Sequence, residues 1–145
     1  MSIPAAVDFR VIDVDEDYTL VEFSAGDGAF AGSTQLYGGR SEASALAQGL
    51  AGFPTRIGEE RQIELGSRDP KVADGWVHIR CLCDGRTGHV LLEIHIMDKA
   101  VRAAVPGREV RLQFPTRPAA LDEFAAALNV LDWRLGNSAT LRSDV

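Results

Sequence analysis

The chain carries only two cysteines, Cys81 and Cys83, in 145 residues, too few for a disulfide framework. It has no run of about 18 apolar residues, so no helix is expected to span a membrane. Its start, MSIPAAVDFR, lacks the basic stretch and apolar segment of a secretory signal, and a cytoplasmic protein is expected. Signatures of catalysis are missing as well: there is no G-x-S-x-G elbow and no H-E-x-x-H helix. GDGAFAG (26–32) is glycine-rich but joins two expected strands and opens no helix, so it fails as a phosphate loop. Basic residues stand singly and never interleave with aromatics, which argues against nucleic-acid binding. Neither enzyme activity nor a cofactor is expected.

Bases are scarce at one end. Residues 1–30 hold Asp8, Asp13, Asp15, Glu16, Asp17, Glu22 and Asp27 against Arg10 alone, while the rest of the chain has 14 acids and 14 bases. The whole net charge of −6 therefore sits in the first fifth of the chain. Such a segment either solubilises the protein or attracts a basic partner.

What is present is globular composition, 46% apolar and 25% charged, the size of one domain. Periodicity alternates between two and 3.6. Strands are expected over 7–14, 18–25 and 29–37, followed by a helix from a Ser41 cap to the stop signal Gly52-Phe53-Pro54. Further strands are expected at 61–65, 76–83, 89–97 and 108–114. A second helix is expected over 118–135, entered at Thr116 or Arg117, left at Gly136, and striped by Leu121, Phe124, Leu128, Leu131 and Leu135. The order βββ-α-ββββ-α with short gaps predicts an α+β fold, a mostly antiparallel sheet of about seven strands with two helices. Residues 1–135 form the expected domain, and 136–145 a flexible tail.

VHIRCLCDGRTGHVLLEIHIMD (77–98) contains both cysteines and all three histidines. Side chains alternate faces along a strand. Pairing around Gly85-Arg86-Thr87-Gly88 sets Asp84 against His89, Leu82 against Leu91, Arg80 against Glu93 and His78 against His95. Both sulfurs then face the core and the imidazoles face away, so they cannot converge on one metal ion. His78 and His95 remain either a plain cross-strand pair or, with Glu93, a surface metal site; no metal site is expected. Pairing the first hairpin around Asp15-Glu16-Asp17 sets Val11 against Val21, Phe9 against Phe23 and Arg10 against Glu22, which neutralises Arg10 locally. DVDED (13–17) lacks the glycine and glutamate of a calcium-binding EF-hand loop.

The face opposite the core keeps apolar residues: Ile12, Val14, Tyr18 and Leu20 on the first hairpin, and Trp76, Leu82, Leu91 and Met97 on the second. A helix or a bent sheet covers them, or they form an interface. Self-association through this face is one such option.

Four motifs then occur in order: AFAGSTQLY (29–37), LAGFP (50–54), CDGRTGHVLLEIHI (83–96) and PAALDEFAAAL (118–128). Together they resemble the WapI-type immunity proteins of bacterial contact-dependent toxin systems and their uncharacterised relatives, over residues 7–132. The resemblance implies a non-catalytic inhibitor that binds a toxin domain. If the toxin is basic, Asp13, Asp15, Glu16 and Asp17 are the expected steering charges, with Tyr18 or Trp76 as apolar anchors. The alternative is a small-ligand or regulatory binding protein whose site includes His78, Arg80, Glu93 and His95.

Overall fold

The computed structural model describes residues 5–69, 71–83, 85, 88–99 and 107–143. The elements run β1 (Ala6–Val14), β2 (Thr19–Gly26), β3 (Ala31–Tyr37), α1 (Gly39–Leu50), β4 (Glu60–Gly66), β5 (Gly75–Cys83), β6 (Val90–Asp98), β7 (Arg108–Thr116), α2 (Pro118–Asn129) and β8 (Ser138–Arg142). The strands make two antiparallel sheets, ordered β3-β2-β1-β8 and β4-β5-β6-β7. The α+β class is as expected, with eight strands among the described residues in place of seven.

Alternation explains the hairpins. Val7, Phe9 and Val11 on β1 and Val21, Phe23 and Ala25 on β2 all turn into the core. Their register is the expected one, with Phe9 opposite Phe23 and Arg10 opposite Glu22. Past Val11 the register slips, so that Asp13 faces Leu20 and Val14 faces Thr19, a bulge that re-aims the tip. Arg10 nevertheless forms its ion pair with Asp8, two residues earlier on the same strand, at 3.4 Å. The β5–β6 register is likewise as expected at Leu82–Leu91, Arg80–Glu93 and His78–His95. The expected Asp84–His89 pair and the turn residues Arg86 and Thr87 lie outside the described residues.

The expected tail is a correction. Residues 138–142 form β8, which pairs antiparallel with β1, and Ala139 and Leu141 are buried. The domain therefore extends beyond residue 135. Helix α1 is capped by Gly38 instead of Ser41. Gly38 adopts φ +75°, where only glycine sits without strain, and Ser41 donates its hydroxyl to the Gly38 carbonyl at 2.8 Å. Helix α2 ends at Asn129, earlier than its leucine stripe suggests; Leu121, Phe124 and Leu128 are buried but Leu135 is 72% exposed.

One core joins the layers. Strand β3 lies against the ends of the second sheet, where Gly32 meets Val110, Gly75 meets the backbone of Gln35, and Gly66 meets Leu36. Helix α1 packs on β4 and α2, and α2 packs on β8. Gly49 lets α1 seat on Ile63, and Asp122 Oδ1 accepts from the Gly52 N–H at 2.8 Å, tying the start of α2 to the end of α1.

Candidate functional site

Two surfaces carry the residues singled out by sequence. The first is the tip of the β1–β2 hairpin. Its turn closes with the Asp15 N–H donating to the Tyr18 carbonyl at 2.9 Å. Asp13, Asp15, Glu16 and Asp17 are all exposed there. Tyr18 donates its hydroxyl to Asp13 Oδ2 at 3.0 Å, a bond that raises the tyrosine pKa above its ordinary value. Its ring meets that of Tyr37 on β3 edge-on, with centroids 5.6 Å apart. Val14, Tyr18 and Tyr37 remain 44%, 37% and 59% exposed, so an apolar patch stands among the carboxylates. Beside it lies a hollow of about 530 Å³, lined by Val14, Asp15, Asp17 and Tyr18 and, at the start of α1, by Gly39 and Arg40.

The second surface is the outer face of the second sheet. Register places Gln62, Arg80, Glu93 and Gln113 in one row across it and Glu64, His78, His95 and Arg111 in the next. Arg80 bonds Glu60 on one side and Glu93 on the other, Nη1 to Oε2 at 3.1 Å; these bonds, that to Glu60 foremost, raise its pKa further. His95 donates Nε2–H to Glu109 Oε2 at 2.6 Å and thereby holds that carboxyl below its ordinary range. His78 Nε2 meets Gln62 Oε1 at 3.0 Å. The four expected ligand residues, His78, Arg80, Glu93 and His95, thus come together along an open groove of about 460 Å³. Arg111 and Gln113 of β7 line it too. Sequence reading missed this pair, although their spacing of two on β7 already put them on one face.

Trp76 does not belong to the exposed surface. It is only 5% exposed, because the Arg68 guanidinium covers it at 4.9 Å while the rings of His78 and His95 pack against it. It offers almost no area to a partner, which counts against its expected part as an anchor; of the two expected anchors, Tyr18 is the exposed one. Leu82, Leu91 and Met97 are half-buried, and two polar rows separate the Leu82–Leu91 pair from Met97. The outer face of this sheet is therefore not the continuous apolar surface that self-association through it would need.

The sulfurs lie on the face opposite the imidazoles of His78 and His95, as the alternation predicts. Cys81 is fully buried, and burial pushes its thiol up to about 12; Cys83 is half-buried. Among the described residues, no group of three His, Cys, Asp or Glu side chains gathers where it could hold a metal ion. No described helix is long and apolar enough to cross a membrane. Comparison with protein-family models, curated proteins and solved structures finds no match.

Proposed function

We propose that the protein is a non-catalytic binding module that engages a basic protein partner through the tip of the β1–β2 hairpin. The observation that carries this reading is the exposed trio Val14, Tyr18 and Tyr37 standing among Asp13, Asp15, Glu16 and Asp17. Aromatic residues inside a charged rim are the usual make-up of a binding hot spot. The clustered acids speed encounter with a positive surface and repel polyanions. The resemblance of four sequence motifs to those of WapI-type immunity proteins suggests the kind of partner, a toxin domain neutralised by direct contact in the cytoplasm.

The test is co-purification with the protein encoded by the adjacent gene, using wild type and a Tyr18→Ala/Tyr37→Ala double variant. Wild type is expected to retain the neighbour and the double variant to lose most of it. Failure of wild type to retain it, or equal retention by both, overturns the reading.

A further inference from the structure

The groove on the outer face of the second sheet is separate from the hairpin tip, and its unsatisfied chemistry is specific. Of the six polar side chains lining it, four already have partners. Arg80 is held between Glu60 and Glu93, His95 by Glu109, and His78 by Gln62. The exposed side chains of Arg111 and Gln113 make no hydrogen bond or ion pair to any other described residue, although the Arg111 charge acts on Glu109 nearby. They lie two apart on β7, opposite His95 and Glu93 respectively. Arg80 and Arg111 share this face with Glu60, Glu64, Glu93 and Glu109, so positive charge is not in surplus. Arg80 is ion-paired, and Arg111 is the lining guanidinium, among the described residues, that no carboxylate contacts within 4 Å.

The partnered groups also fix what the unpartnered ones can do. A carboxylate only accepts, so His95 gives its Nε2 proton to Glu109 and keeps Nδ1 as an acceptor. Glu60 and Glu93 hold Arg80 in place as one wall, and partnered side chains of this kind make a site rigid before anything binds. The planar guanidinium of Arg111 offers a fork of donors that matches two oxygens of one anion, and the Gln113 amide adds a third donor.

We propose that this groove binds a small oxyanion, a carboxylate or a phosphate, with Arg111 as its charge partner, Gln113 as a second donor and an imidazole Nδ1 accepting from a protonated oxygen or hydroxyl of the ligand. The site does not depend on the hairpin reading.

The experiment is a titration of the ¹⁵N-labelled protein with sodium phosphate and, separately, sodium succinate at constant ionic strength. Saturable shifts are expected at the backbone amides of residues 111–113 and 93–95 with at least one of the two. The ion that saturates identifies the source of the oxyanion. Arg111→Gln is expected to weaken binding about tenfold or more, and Arg111→Lys, which keeps the charge but not the fork, by less. Spectra of both variants that overlay the wild type away from β7 show that the fold is kept. The proposal is overturned if neither ion gives saturable shifts, if the shifts lie elsewhere, or if folded Arg111→Gln binds as wild type does.

Discussion

Gly75, the first residue of β5, touches the backbone of Gln35 in β3 so closely that a Cβ would overlap the Gln35 carbonyl oxygen and come within 2.6 Å of Thr34 Oγ1. The two sheets meet at this point. A backbone carbonyl cannot swing aside as a side chain can, so strain from a larger residue must spread through β3. Gly75→Ala is expected to cost about 3 kcal/mol in chemical denaturation, at the upper end of overpacking effects. Gly58→Ala is the control: φ there is +82° with nothing within 4 Å of the added carbon, and the left-handed backbone alone costs about 1 kcal/mol.

Strand β8 contributes Leu141, 2% exposed, to the core against β1. Leu141→Ala is expected to cost about 2–4 kcal/mol in the same assay. A loss below about 0.5 kcal/mol, the usual size of a surface change, would mean that the C-terminal segment does not pack as a strand.

What could be read from sequence, and what could not, follows from the range of the interactions. Both hairpins came out in register along their strands because alternation and a short turn fix the pairing locally, and only the bulge past Val11, near the tip of the first, departed from it. The cysteines sorted to the face opposite His78 and His95 for the same reason. Strand β8 escaped because SATLR is short, its inward residues are only Ala139 and Leu141, and its partner begins more than 130 residues earlier. The division into two sheets escaped because it depends on where β3 rests, and glycines at 32, 66 and 75 permit that contact without announcing it. Trp76 read as exposed because Arg68, which covers it, comes from a loop. At the candidate sites, the acidic tip and the row from Arg80 to Glu93 were legible. The exposed Tyr37 beside Tyr18, and Arg111 with Gln113, needed the neighbouring strands β3 and β7 to be placed.

Glu59 predicts a specific pH response. Its Oε1 accepts from the Thr55 N–H and hydroxyl, at 2.5 and 2.9 Å, and its Oε2 from Arg61 Nε at 2.9 Å. These bonds, that from the Thr55 backbone first, lower its pKa from 4.5 to about 2. A carboxyl more acidic in the folded state stabilises the protein fully above the unfolded value and loses that contribution as pH falls through the folded one. The stability gap between wild type and Glu59→Gln is therefore expected to be widest near neutral pH and to close as pH drops from about 4.5 towards 2. Denaturation midpoints of both proteins at stepped pH check this, and a gap unchanged at pH 2 contradicts it.

The proposed binding role is tested most directly by the association rate with the protein encoded by the adjacent gene, measured by stopped flow over a range of salt concentrations. Wild type is compared with the variant Asp13→Asn/Asp15→Asn/Glu16→Gln/Asp17→Asn. The wild-type rate is predicted to fall steeply as salt rises, and the variant to associate about tenfold or more slowly at low salt, with little remaining salt dependence. Equal rates for the two proteins, indifferent to salt, would contradict a partner guided in by the hairpin tip.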